Sequence, residues 1–196
     1  KDFTQFRLQA LKNQVNPHFL FNSLSVLSSL VHRDAALAEQ FVVRLSQAYT
    51  YILNQKEAGL VSLEEELRFL KSYFFLLKIR FENKLQLETD IADTGGVMVP
   101  PLILQLLLEN AVKHNKMSAQ QPLKVSIRRR GDTLVVENNV SRRDAKAEST
   151  GLGLENIRKR YAMITNKEVQ ISENEDRFSV VIPILSAAEI PEPIPS

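Results

Sequence analysis

Residues 1–56 contain no glycine and a single proline, Pro17, a composition that favours long helices over turns and strands. Apolar residues recur every three or four positions from Leu8 to Val31 and again from Phe41 to Ile52. This spacing predicts two helices that break near Arg33-Asp34. Two such helices make too small a core to be stable alone, so we expect a four-helix bundle formed with a second copy of the chain.

The composition of the whole chain excludes several classes of site. The chain has no cysteine, which excludes disulfides, cysteine-ligated zinc, iron–sulfur clusters and a cysteine nucleophile. Its net charge of +2 is too close to neutral to indicate direct nucleic-acid binding. The longest apolar run, Val97–Leu108, is interrupted by prolines and is shorter than the roughly 20 residues of a membrane-spanning helix. We therefore expect membrane attachment only through a missing segment upstream of Lys1.

The remainder of the chain predicts an α+β unit in which helices pack against one mostly antiparallel sheet. A capping box, Ser62–Glu65, opens an amphipathic helix. Two more helices are predicted, one from Pro100-Pro101 to about Asn115 and one from Gly151 to Ile164. The predicted strands are Leu85–Ile91, Leu123–Arg130, Thr133–Asn139, Val169–Ser172 and Phe178–Ile184.

Polar and proline-rich stretches set the predicted boundaries. Residues 57–61 form the joint between the helical unit at 1–57 and the α+β unit at 58–185. The polar stretch 140–150 is expected to be a mobile loop. The last segment, 186–196, contains three prolines and is expected to be a disordered tail.

A histidine lies on the polar face of the first helix. At about 100° per residue, His18 shares that face with Asn22, Ser25, Ser29 and His32. An exposed neutral imidazole can act as a nucleophile. Taken alone, His18 is more simply a surface or helix-packing residue. The opposite face carries the apolar residues that we expect to fill the bundle: Leu20, Leu24, Leu27 and Val31.

A second constellation lies on the helix that follows Pro100-Pro101. Asn110, Lys113 and His114 share one helix face by their spacing. An amide oxygen suits Mg²⁺, which relies on substrate phosphates for other ligands, and a lysine can meet phosphate as a point charge. A polar outer face on a core helix accounts for the same residues.

The third constellation is a glycine-containing turn that leads into a helix, Thr150-Gly-Leu-Gly-Leu154. Glycines allow the backbone to approach a phosphate, and the start of a helix supplies backbone donors and a positive dipole end. A plain loop–helix turn has the same sequence pattern, so this motif alone is a weak signal.

The order of these motifs resembles that of the LytS/YehU-type sensor histidine kinases. The resemblance covers most of residues 10–165, and its first block is long and specific. The matching stretches are Gln14–Leu24, Leu63–Leu67, Tyr73, Arg80-Phe81, Pro100–His114 and Gly151–Ile157.

The resemblance implies a dimerising helical hairpin with a phosphoacceptor histidine, followed by an ATP-binding α/β sandwich of the GHKL type. His18 matches the phosphoacceptor and Asn110 the residue that binds Mg²⁺. Glu109, with a catalytic role, and Lys113 and His114, with ATP-binding roles, lie in the same box. The second glycine box, which lines the nucleotide phosphates, comprises Thr150, Gly151, Leu152, Gly153 and Leu154.

The implied function is that of a two-component sensor histidine kinase. Such a kinase transfers phosphoryl from ATP·Mg²⁺ to its own histidine, here His18, and then to an aspartate of a response regulator. The family's regulators often carry a LytTR DNA-binding domain. The resemblance also implies a homodimer and the cytoplasmic portion of an inner-membrane sensor.

One box departs from the family pattern. The family places an aspartate that binds the adenine amino group in a glycine-containing box, whereas this chain has Val136–Val140 without glycine, with Asn138 at the aspartate position. Asparagine offers one carbonyl acceptor plus donors, so we expect weaker ATP binding. A degenerate kinase that acts as a dimeric scaffold is therefore the main alternative. A GHKL ATPase of the chaperone or mismatch-repair type and a plain structural bundle are further alternatives.

Overall fold

The computed structural model of the chain describes residues 17–55, 59–141 and 152–186. The helices are α1 (Pro17–Val31), α2 (Ala35–Asn54), α3 (Leu63–Phe81), α4 (Ile103–His114) and α5 (Leu152–Ile164). The strands are β1 (Val61–Ser62), β2 (Leu85–Asp90), β3 (Val97–Val99), β4 (Leu123–Arg130), β5 (Thr133–Asn139), β6 (Gln170–Glu173), β7 (Arg177–Pro183) and β8 (Leu185–Ser186). A short 3₁₀ turn, Glu82–Lys84, joins α3 to β2. The α+β class predicted from the sequence is confirmed.

The helical hairpin breaks where the sequence predicts. Asp34 caps α2, because its Oδ1 accepts a hydrogen bond from the Leu37 backbone N–H at 2.9 Å. Within one chain, α1 packs through a face next to the one predicted to fill the bundle. Phe19, Ser23 and Leu30 are buried, whereas Leu24 and Val31 are 47% and 49% exposed within one chain.

Helix α3 is buried on two sides. The capping box is confirmed, since the Glu65 backbone N–H donates to Ser62 Oγ at 3.2 Å. One side of α3 packs towards the sheet and α4, and the other packs against α2. Phe19 and Leu30 belong to the same continuous core as α3, so the hairpin and the α+β unit share their apolar interior.

The main sheet has five strands in the order β2-β4-β5-β7-β6. Strand β2 runs parallel to β4, and the other neighbours are antiparallel, as predicted. Gly131 has a φ of +60°, a value that glycine adopts without strain, and allows the tight turn between β4 and β5. Alternate residues of β4, β5 and β7 point into the core beneath the helices: Leu123, Val125, Ile127, Leu134, Val136, Val180 and Ile182.

A second, three-stranded sheet in the order β1-β3-β8 was not expected from the sequence. Its strands are two or three residues long, too short for an alternating pattern to appear. Ser186 pairs with Val97 in this sheet, so the first residue of the predicted tail is part of a strand. The other tail residues, 187–196, lie outside the described part of the chain.

None of the helices described here is long and apolar enough to cross a membrane.

Candidate active site

His18 lies near the start of α1 with its side chain exposed to solvent, as the sequence predicts. Asn22, one turn later, places its amide nitrogen 3.2 Å from His18 Nδ1. The same amide nitrogen lies 3.5 Å from Nε2, so Asn22 contacts both ring nitrogens of His18.

The residue after His18 points in the opposite direction, into the protein. The ring centroid of Phe19 lies 5.1 Å from that of Tyr73 on α3 and 6.2 Å from that of Tyr49 on α2. These are contact distances for aromatic pairs. Phe19 thereby fixes the start of α1 against the unit that carries the other predicted site residues.

The N-terminus of α4 is held by a buried carboxylate that the sequence analysis did not single out. Glu66 is fully buried, and its two oxygens accept hydrogen bonds from the backbone N–H groups of Leu102 and Leu104, each at 3.1 Å. Tyr51 on α2 donates its hydroxyl to the same carboxylate at 2.8 Å. Leu102 has a φ of +64° and no side-chain cap of its own, so Glu66 replaces the missing cap.

Burial has a clear electrostatic effect on this group. Loss of water around the carboxylate raises the pKa of Glu66, although the hydrogen bonds from Tyr51 and the backbone of α4 partly oppose that shift. The same burial, together with the nearby Glu66 charge, raises the pKa of Tyr51. The tyrosine hydroxyl therefore stays a donor at neutral pH.

The middle of α4 carries the residues that resemble the magnesium-binding box. Glu109 Oε1 accepts hydrogen bonds from the Tyr73 hydroxyl at 2.7 Å and from the Gln105 amide at 3.1 Å. Asn110 and His114 are half-buried, and Lys113 is exposed. The predicted common face of these residues is therefore present on α4.

The polar residues on this face of α4 suit a cation that is held mainly by phosphate groups of a bound molecule. No group of three or more His, Asp or Glu side chains is arranged to hold a metal among the residues described. Asn110 can supply one hard amide oxygen, which fits Mg²⁺ bound largely by phosphates and water.

The C-terminus of α4 is tied to the end of β5 by Asn115, which the sequence analysis also missed. Asn115 is buried, and its amide donates to the Ala111 carbonyl at 2.9 Å while its Oδ1 accepts from the Ser141 N–H at 2.8 Å. The Lys116 N–H donates to the Ser141 carbonyl at 2.6 Å. The only available sequence signal is an asparagine one position after a helix end.

Asn138 lies on the buried face of β5, in line with Leu134 and Val136. Its amide nitrogen donates to the Asn139 backbone carbonyl at 2.8 Å. An aspartate could not make that bond, because a carboxylate has no donor. In this orientation the Asn138 side-chain oxygen is the group that can accept from an adenine amine.

The glycine turn is described only in part. Thr150 and Gly151 lie outside the described residues, as does the Leu152 side chain, and α5 begins at Leu152. Gly153 lies in the first turn of α5, where an added side chain would meet open space. Leu154 packs against the core.

One hydrogen bond joins α5 to the start of α4, and a second joins α5 to the end of β7. Arg160 donates to the Pro101 carbonyl at 2.7 Å, and the Tyr161 hydroxyl donates to the Pro183 carbonyl at 2.9 Å. The structure thus connects α4, the end of β5 and α5 through specific contacts. It joins His18 to this group through Phe19.

Comparison with known proteins agrees with this architecture. Residues 6–85 match the family model described as histidine kinase. A solved structure, the 1.7 Å structure of a bacterial phosphotransferase, superposes with a TM-score of 0.52 and covers 90% of this chain and 95% of that one, at 10% identity. That similarity concerns the fold alone.

Curated relatives share considerably more sequence. The sensor protein LytS of Staphylococcus saprophyticus is 31% identical over 86% of this chain and 32% of its own length. The sensor histidine kinase BtsS of Escherichia coli is 32% identical over 80% of this chain and 29% of its own length. The chain thus spans about a third of the length of these relatives. It belongs to the histidine kinase family, in the group of LytS-type sensor histidine kinases.

Proposed function

We propose that this chain uses ATP and Mg²⁺ to phosphorylate His18 and then passes the phosphoryl group to an aspartate of a response regulator. The unprotonated nitrogen of the His18 imidazole attacks the γ-phosphorus, so that a P–N bond forms and the P–O bond breaks, with its electron pair left on the ADP oxygen. The proton on the other ring nitrogen passes to water. The aspartate oxygen then takes the phosphoryl group from the histidine.

One observation carries the proposal. The imidazole of His18 is exposed at the start of α1, while the adjacent Phe19 is anchored on α3 beside the helix that bears Asn110. This arrangement leaves the imidazole open to a nucleotide while its helix is held against the unit that carries Asn110.

The remaining residues are proposed to bind and orient the nucleotide. Asn110 would hold Mg²⁺, which supplies charge neutralisation at the phosphates when bound. Lys113 and His114, on the same helix as Asn110, are proposed to bind ATP. Glu109 on that helix is proposed to be catalytic, together with His18. The backbone donors at Thr150–Leu154 would meet the phosphates, and Asn138 would accept from the adenine amine.

Transfer also requires movement between the two units. His18 lies on the hairpin and the nucleotide site on the α+β unit, so we propose a rigid-body shift about the joint at 57–61 that pivots on, and keeps, the aromatic contact between Phe19 and Tyr73. A homodimer is part of the proposal, as are a regulator of the LytTR type and an upstream membrane segment.

The altered box at Val136–Val140 keeps one alternative open. Asn138 is buried and donates to a backbone carbonyl, so it is well accommodated without any nucleotide. A dimeric scaffold that binds ATP weakly and transfers nothing would have the same feature. Calorimetric titration with ATP and Mg²⁺ separates the two, because the scaffold would show little or no binding.

The test of the proposed reaction is incubation with γ-labelled ATP and Mg²⁺. Wild type should acquire acid-labile, base-stable label, and His18→Gln should acquire none because it lacks the nucleophile. Asn110→Asp should lower the rate by about tenfold or more, because it alters the ligand that positions the metal. His32→Gln is the matched control, since His32 is an exposed histidine at the far end of α1.

The outcomes separate the alternatives. Label that persists in His18→Gln would overturn the assignment of the phosphoacceptor. ATP-bound wild type that remains unlabelled would overturn autophosphorylation by this chain. Stable label with the properties of a histidine phosphate would exclude an ATPase of the chaperone type.

A further inference from the structure

One side chain lies between the phosphoacceptor helix and the proposed magnesium-binding helix. Tyr73, on α3, is 2% exposed and extends between α1 and α4. Its ring contacts Phe19, the neighbour of His18, with 5.1 Å between centroids. Its hydroxyl donates to Glu109, the neighbour of Asn110, at 2.7 Å.

The contact with Glu109 restricts that carboxylate strongly. Its Oε1 accepts from both the Tyr73 hydroxyl and the Gln105 amide, at 2.7 and 3.1 Å. Two donors on one oxygen fix the rotation of the side chain. Since Gln105 and Glu109 are both on α4, Tyr73 is the partner that joins the carboxylate to another helix.

Burial keeps Tyr73 in the form that can make this bond. Loss of water and the nearby Glu109 carboxylate raise the pKa of Tyr73 well above its ordinary value. The hydroxyl therefore keeps its proton and donates throughout the physiological pH range. The contact does not depend on a titration step.

A second tyrosine lines the same junction. Tyr49, on α2, contacts the other side of Phe19, with 6.2 Å between centroids, and burial together with Glu109 raises its pKa. The Tyr49 hydroxyl is buried and makes no hydrogen bond within the described structure. Of the two tyrosines, Tyr73 is the one whose hydroxyl contacts Glu109.

We propose that Tyr73 is a positioning residue for phosphoryl transfer, holding Phe19 beside His18 and Glu109 beside Asn110 in a fixed relation. The inference rests on the proposed function and adds to it the side chain that sets the geometry between nucleophile and metal ligand. Tyr73 does not contact the reacting atoms, so its effect passes through its two neighbours.

Tyr73→Phe tests the inference because it removes the hydroxyl and keeps the ring on Phe19. We expect the rate of His18 labelling at saturating ATP to fall about tenfold, while the KM for ATP changes less than twofold. Tyr49→Phe is the matched control. The Tyr49 ring also contacts Phe19, but its hydroxyl makes no hydrogen bond within the described structure, so both parameters should stay within twofold of wild type.

A double variant distinguishes positioning from a general loss of structure. If Tyr73 acts through Glu109, then adding Tyr73→Phe to Glu109→Ala, which leaves the hydroxyl no oxygen at position 109 to donate to, should slow labelling no further. A structural defect would instead multiply the two effects. Circular dichroism on each variant shows whether the protein is folded.

Three results would overturn the inference. The first is a wild-type labelling rate in Tyr73→Phe, the second is an effect confined to KM, and the third is independent effects in the double variant. In all three the wild type still labels His18, so the proposed function stands. A wild type that takes no label overturns the proposed function and this inference with it.

Discussion

At the scale of single residues, Glu66 and Glu64 lie two positions apart on α3 but have different surroundings. Glu64 forms an exposed ion pair with Arg68 at 3.2 Å, which contributes little to stability. Glu66 is fully buried and bonded to backbone N–H groups of α4 and to Tyr51. The same residue type therefore contributes solubility at one position and helix capping two positions later.

The raised pKa of Glu66 predicts a pH-dependent stability. The folded chain keeps the Glu66 proton at a pH where the unfolded chain, near the ordinary value of 4.5, has already released it. The folded state then binds more protons, so this group makes the free energy of unfolding fall as pH rises above about 4.5.

Glu66→Gln should remove that slope. At low pH the variant should be less stable than wild type by about 1–3 kcal/mol, because its amide nitrogen cannot accept a hydrogen bond, whereas either oxygen of the carboxyl group can. This difference in the free energy of unfolding should narrow as pH rises. Urea unfolding at a series of pH values measures the gap. Glu64→Gln is the control and should show no such trend, and a pH-independent gap for Glu66→Gln would contradict the prediction.

At the scale of elements, helix α4 is fixed at both ends by side chains that periodicity does not reveal. Its start is capped by Glu66 from α3, and its end is tied to β5 through Asn115 and Ser141. The tie sets the position of Asn138, near the end of β5, relative to Asn110 on α4. Both are residues proposed to contact the nucleotide.

We therefore expect Asn115→Ala to weaken ATP binding by about tenfold, because removing the tie loosens the relation between α4 and β5. Asn174→Ala is the control. Asn174 also bonds two backbone groups, accepting from the N–H groups of Asp176 at 3.0 Å and Arg177 at 2.8 Å, and it is not among the residues proposed to contact the nucleotide. Both variants should lose about 1–3 kcal/mol of stability.

Only Asn115→Ala should change the ATP dissociation constant measured by calorimetry. Equal weakening in the two variants would mean that general destabilisation explains the effect.

The elements themselves were largely predictable, for physical reasons. Strong periodicity in α3, alternation in β4 and β5, and a glycine at their turn each report local geometry. The sequence could not show which element packs against each face of a helix or strand. The pattern from Leu67 to Phe81 predicts one apolar face on α3, whereas packing in the folded chain widens the buried surface to include Phe69, Ser72 and Leu76.

The residues of the candidate site also fall into those that the sequence could identify and those that it could not. Motif order identified His18, Asn110 and Gly153 as candidates, because their residue types suit the chemistry in that order. Glu66, Tyr73 and Asn115 act through contacts with residues 15 to 38 positions away, and such contacts follow from tertiary packing. No local pattern contains that information.

At the scale of the whole molecule, α1 presents an apolar stripe to solvent. Phe21, Leu24 and Val31 are 69%, 47% and 49% exposed, and their spacing places them on one side of the helix. A cluster of large apolar side chains on one face indicates a surface that is covered in the functional state. The four-helix bundle predicted from the sequence would cover it.

Leu24→Glu should convert a dimer into a monomer without unfolding the chain, because it places a charge in the proposed interface while the residue is not part of the chain's own core. Sedimentation equilibrium measures the mass, and circular dichroism checks the helix content. Ser25→Glu is the control, since Ser25 is exposed on the neighbouring, polar face. A Leu24→Glu protein that remains dimeric would place the interface elsewhere.

The double-sided burial of α3 also bears on how this protein can be dissected. Phe69, Tyr73 and Leu76 are buried in the intact chain, and Tyr51 stacks on Phe69 with ring centroids 4.4 Å apart. A fragment that starts after the hairpin would expose aromatic surface that the hairpin now covers. A fragment cut between the two units would therefore tend to aggregate through this surface. An isolated nucleotide-binding fragment would need polar replacements on that side of α3 to stay in solution.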